Sequence, residues 1–108
     1  HPDHRSAGQA ALDALYPPAR DDLSLPELLA DGLEPHTTPT VLLMSFGNHN
    51  YCEDITTTLD KKCRALAAHS SQVMDAKKTQ SKMKEFAKQA GKDADCEYAE
   101  SFVRIDIN

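Results

Sequence analysis

No stretch of this chain approaches the roughly 20 apolar residues that a helical membrane span requires. The longest uninterrupted run, Val41-Leu42-Leu43-Met44, has the size of a strand. A membrane partner is therefore not expected, and no signal peptide is visible. Cysteine is sparse and odd in number. Cys52, Cys63 and Cys96 form no CxxC pair, which argues against a disulfide framework and against a structural zinc site. They read as reduced thiols, packed as small hydrophobes, and the cytoplasm suits them best. Positive charge is in deficit: 12 Lys and Arg against 17 Asp and Glu give a formal net charge of -5. A general nucleic-acid binder carries the opposite balance. Internal repeats, low-complexity segments and linkers are lacking too. At 108 residues, what remains is at most a single domain, residues 1–108, with a modest core.

What is present is concentrated at the front, where the chain opens His1-Pro2-Asp3-His4. Imidazole is the commonest ligand for divalent transition metals and the side chain best suited to proton transfer near neutral pH. The two histidines lie three apart at a helix start, so one is able to ligate a metal while the other faces a substrate. Asp3 is placed to orient an imidazole by accepting its second N–H. Spacing alone leaves two readings open, a metal site or a solvent-exposed helix-cap loop. A catalytic zinc site takes about three protein ligands plus a water position. The other candidates by residue type, His36, His49 and His69, each lie in a separate segment. A motif of this kind at the very front, with no initiator Met, leads us to expect the back part of a longer protein, cut at its active-site loop.

Behind the motif, residues 5–16 read as a helix. Ala7, Ala10, Ala11, Ala14 and Leu15 share one face, Asp3 is placed as N-cap, and Tyr16-Pro17-Pro18 stops it. The small Ala face is expected to pack closely against a neighbour. Ser24-Leu25-Pro26-Glu27 reads as a capping box for a short helix ended by Gly32. Thr40 to Phe46 reads as a strand covered on both faces, as in a parallel sheet, and Gly47-Asn48-His49-Asn50 as a loop. Thr57-Thr58-Leu59-Asp60 reads as a second capping box, opening a helix to about His69 with Leu59, Cys63, Leu66 and Ala67 on one face. A longer helix is expected from about Ser71 to Ala90, with Val73, Ala76, Met83, Phe86, Ala87 and Ala90 in register and Gly91 as its stop. Its lysines, Lys77, Lys78, Lys82, Lys84 and Lys88, form either a solvated face or an anion-binding patch. The tail from Glu97 to Ile105 reads as a last helix or turn. One strand among several helices has no partner for its backbone groups, so the remaining strands are expected from a missing N-terminal part.

The wider pattern adds a resemblance. His1-Pro2-Asp3-His4-Arg5-Ser6-Ala7-Gly8, followed by Ala10-Ala11-Leu12-Asp13-Ala14 and Tyr16-Pro17, resembles the second metal motif of the PIG-L (LmbE-like) family. These are zinc-dependent N-acetylglucosaminyl deacetylases and related amidases. Asp54-Ile55-Thr56 with Leu59-Asp60-Lys61-Lys62, then Ala65 to Gln72, and finally Tyr98-Ala99-Glu100-Ser101-Phe102 are similar to further family blocks in the same order. The resemblance implies the C-terminal portion of an α/β, Rossmann-like three-layer fold with a mainly parallel sheet, helix-rich in this stretch. Its site would sit at the carboxyl ends of the strands.

By that resemblance His4 is the metal ligand, with zinc or another divalent ion as cofactor. His1 acts on the tetrahedral intermediate or donates a proton to the leaving amine, and Asp3 orients the neighbouring ring. The implied substrate is a small N-acetylated amino sugar or glycoconjugate, with no nucleic acid and no membrane as partner; oligomeric state is left open. Asp54, shared with the family, is either a turn carboxylate or a site-lining group. His49 and Asn50 lie on the loop after the strand, where ligand contacts concentrate, or simply face solvent. His69 near a helix end complements the dipole, and His36 belongs to a connection. The family's first motif, an Ala-His-Pro-Asp-Asp block carrying two ligands and the general base, is absent. This stretch alone is therefore expected neither to hold zinc tightly nor to turn over. Two other functions compete: a non-catalytic remnant serving as an interaction module, and an amidase of the same architecture acting on a thiol conjugate.

Overall fold

The computed structural model describes residues 1–44 and 47–107. Their elements are α1 (Pro2–Leu15), α2 (Pro26–Ala30), β1 (Thr40–Met44), β2 (Tyr51–Asp54), α3 (Leu59–Ala67), α4 (Ala76–Asp93) and β3 (Ala99–Asp106). The chain divides into two compact units. One holds residues 1–41 with Asp106 and Ile107; the other holds Leu42–Ile105.

In the first unit, α1 begins earlier than its apolar spacing predicts, because Pro2 at its first position is preset for helical geometry. His1, not Asp3, is the N-cap: its side chain accepts from the Asp3 amide. Tyr16 ends the helix in extended geometry, as the two following prolines require. Ala7, Ala10, Ala11 and Ala14 are all exposed, so the predicted close packing of this face is not seen. α2 forms where proline opens it, but the Ser24 capping box does not: Leu25 is the N-cap, without a side-chain bond. Gly32 follows at φ +82°, the left-handed backbone that favours glycine after a helix.

The sheet overturns four expectations. It has three strands in the order β1-β3-β2. β2 and β3 are antiparallel, with Tyr51 opposite Phe102 and Asp54 opposite Ala99. On the other side of β3, Ile107 N–H donates to the Pro39 carbonyl at 2.9 Å, and Thr40 Oγ1 donates to Asp106 at 2.9 Å. The described sheet is therefore antiparallel, not the mainly parallel, Rossmann-like sheet of the sequence reading. β1 accordingly finds its partner within this chain. The tail is a strand rather than a helix, and Tyr51–Asp54 is a strand that periodicity did not show. β1 is not covered on both faces either: Met44 is 79% exposed. The predicted extension of β1 through Ser45 and Phe46 lies outside the described residues.

The second unit holds the small core. Ile55, Leu59, Cys63 and Ala87 pack together, with Met83 and Tyr98 against them. α3 presents Leu59 and Cys63 inward, as its spacing predicts. Its N-cap Thr58 makes no side-chain cap bond, so the second capping box is also not formed. α4 starts at Ala76 rather than near Ser71, because the Asp75 carboxylate caps the Lys78 amide at 2.9 Å. The residues before it turn instead, with Gln72 and Val73 donating to the His69 carbonyl. Gly91 does not stop α4; it lies buried within it. A Cβ there would stand 2.6 Å from the Cys96 carbonyl oxygen, so glycine is required by close approach. Lys77, Lys78, Lys82, Lys84 and Lys88 are all exposed.

Candidate active site

His1, Asp3 and His4 occupy the first turn of α1, all exposed. Three-residue spacing on a helix brings the two imidazoles to one face, where their ring centroids lie 5.7 Å apart and tilted by 50°. His1 Nδ1 accepts the Asp3 N–H at 3.2 Å and stands 3.6 Å from the Asp3 carboxylate. An acceptor Nδ1 puts the proton of the neutral ring on Nε2. His1 thus presents an N–H donor outward from a capped helix start. A protonated ring would pair with the Asp3 carboxylate instead. His4 has no such tether to Asp3.

The other predicted site residues lie in the second unit. Asp54 ends β2, and its Oδ1 accepts the Thr56 N–H at 2.8 Å. Hydrogen bonds from the Thr56 hydroxyl and amide, with a smaller one from the Cys96 thiol, hold the Asp54 carboxyl below its ordinary value. That is the turn-carboxylate reading in atomic detail. Burial and the adjacent Asp54 carboxylate push the Cys96 thiol up. The contact between Asp54 and Cys96 has no signal in local sequence, because Asp54 ends β2 and Cys96 lies in the connection between α4 and β3. Asn50 has its amide bound at both ends to β3. Its Nδ2 donates to the Arg104 carbonyl at 3.1 Å, and its Oδ1 accepts the Arg104 N–H at 2.7 Å. His49 Nε2 stands 3.7 Å from Asp93. His69 follows α3 directly and is exposed.

Among the described residues, no three or more His, Cys, Asp or Glu side chains form a group that would hold a metal ion. Nor is any helix of the described residues long and apolar enough to cross a membrane.

Comparison with known proteins gives one similarity. The chain is 35% identical over 72 residues to diacetylchitobiose deacetylase of Thermococcus kodakarensis. The aligned stretch is 67% of this chain and 27% of that protein. The chain therefore spans about a quarter of the length of the curated relative it matches. A deacetylase-like chain is what this similarity supports. No family model matches, and no solved structure matches.

Proposed function

We propose that this chain is a segment of a zinc-dependent hydrolase that removes the N-acetyl group from an amino sugar or small glycoconjugate. The observation that carries the reading is the His1-Pro2-Asp3-His4 block, set on the exposed first turn of α1 in a chain similar to diacetylchitobiose deacetylase. The class of bond follows from that relative's name, and an N-acetylated chito-oligosaccharide is the first substrate to try.

The roles divide as follows. His4 supplies one imidazole ligand. His1 offers its Nε2–H to the substrate side, as a stabiliser of negative charge or a proton donor to the departing amine. Asp3 positions the neutral His1 ring through its backbone N–H. The remaining ligands and the base come from residues outside the 108, so the isolated chain binds zinc weakly and is inactive.

Acetate release from diacetylchitobiose and N-acetylglucosamine, measured with the complete protein, tests this. His4→Ala should remove most of the bound zinc. His1→Ala should keep the zinc and lower the rate by about 10²–10⁴-fold. Equal zinc loss in both variants would overturn the division of roles. A complete protein that releases no acetate from any N-acetylated amino sugar, or tight one-to-one zinc binding by the isolated chain, would overturn the reading itself.

A further inference from the structure

We infer that the cleft between α3 and α4 binds a small ligand carrying a phosphate dianion. The cleft has a volume of about 420 Å³ and is lined by Asp60, Cys63, Arg64, Gln80 and Lys84. That volume falls in the range of small-molecule sites, roughly 300–1,000 Å³. Cys63, only 3% exposed, closes its floor. The walls carry two cations, one carboxylate and one amide. The lining is thus net positive in a chain whose formal net charge is -5.

The cations differ in what they already hold. Lys84 Nζ lies 3.6 Å from Asp60. Arg64, in the last turn of α3, has no carboxylate within ion-pair distance among the described residues. A planar guanidinium is the side chain best matched to two oxygens of one phosphate. Gln80, one turn before Lys84 on α4, adds an amide donor from the opposite wall. Lys77 and Lys88 lie seven residues before and four after Lys84, so they extend the positive potential along the same stripe of the helix.

Asp60 sets the selectivity. Its carboxylate holds Lys84 and repels any incoming anion. A ligand must therefore outcompete a carboxylate for that ammonium, which a monoanion such as acetate does poorly and a phosphate dianion does well. The product of the proposed deacetylation is thus not the ligand of this cleft, and the two proposals stand independently.

Titration of the complete chain with inorganic phosphate at constant ionic strength, followed by nuclear magnetic resonance, tests the assignment. Saturable shifts are expected at the Arg64 Nε–H, the Gln80 side-chain amide and the last turn of α3. Arg64→Ala should weaken binding about tenfold or more, as loss of a charge-assisted pair does. Asp60→Asn should tighten it by releasing Lys84. Lys82→Ala, on the far side of α4 from Lys84, should leave it unchanged. Acetate should produce no saturable shift. Non-saturating shifts spread over all the lysines, an unaltered Arg64→Ala affinity, or weaker binding by Asp60→Asn would each overturn the proposal. All these side chains but Gln80 are exposed, and a circular dichroism melt of each variant separates lost binding from lost folding.

Discussion

Glu53 and Glu100 stand directly opposite each other in the antiparallel pairing of β2 and β3. Like charges in that position repel, by roughly 0.2–1 kcal/mol. The structure gives each a separate partner. The Tyr51 hydroxyl donates to Glu53, and the Lys62 ammonium of α3 pairs with Glu100. The bond to Glu53 holds the Tyr51 phenol above its ordinary value, and the Arg104 guanidinium lies over the same ring, 5.3 Å from its centroid. One strand pair thus places a residue from α3 and two from the sheet around two carboxylates.

Lys62→Met should therefore cost about 1 kcal/mol at neutral pH, the sum of a half-exposed ion pair and an unrelieved carboxylate pair. Adding Glu53→Gln should recover part of the loss. Urea denaturation of the two single variants and the double variant reads this coupling. Purely additive effects would mean that the two carboxylates do not sense each other.

Asp54 predicts an acid-dependent difference. Its carboxyl is held below the ordinary value in the folded state, so its contribution to stability is present above the unfolded value of about 3.9 and fades as pH falls through the folded one. The gap in melting temperature between the parent chain and Asp54→Ala should be constant above about pH 5 and close in stronger acid. In the same variant the Cys96 thiol, relieved of its carboxylate neighbour, should react with alkylating reagents at a lower pH. A pH-independent gap would mean that the Thr56 bonds do not depend on the charge.

Gly91→Ala should destabilise the chain by about 1–3 kcal/mol, the range for forcing volume into a filled site. The obstacle is backbone, with Cys96 O at 2.6 Å and Glu97 O at 2.8 Å from the added carbon, so no side chain is able to swing aside. A differential scanning measurement showing the alanine variant as stable as the parent would contradict this packing.

Asn50→Ala removes both bonds to the Arg104 backbone, and with them the side-chain tie between the β1–β2 connection and β3. A loss of about 1 kcal/mol is expected, because each bond is exposed and water replaces part of it. Faster amide exchange at Arg104, whose N–H donates to Asn50, would accompany it. Unchanged exchange there would show that the backbone ladder alone holds that end of β3.

Helix positions were legible from the chain itself wherever apolar spacing met a local stop. Leu59 and Cys63 share a face at one-turn spacing, and both prove buried. Tyr16 before two prolines ends α1, and Gly32 turns the backbone after α2. The start of α1 was not: the apolar spacing pointed to a helix from residue 5 capped by Asp3, whereas Pro2 opens the helix and the His1 ring caps it. The legible outcomes rest on interactions inside one turn of helix, which sequence order already brings together.

What only the tertiary structure decided depends on residues far apart in the chain. β2 and β3 are short and half polar, and each becomes a strand because the other supplies its hydrogen bonds. An apolar run such as Val41 to Met44 signals extended backbone but carries no direction, so parallel and antiparallel pairing read alike until the partner is known. Gly91 looks like a helix stop by type; the Cys96 and Glu97 carbonyls, brought up by the return of the chain, make it a packing glycine instead. Asp54 meets Cys96, and Glu53 meets Glu100, only through that same pairing. Local chemistry determined where this chain turns and coils, and the pairing of its strands decided which charges and thiols meet.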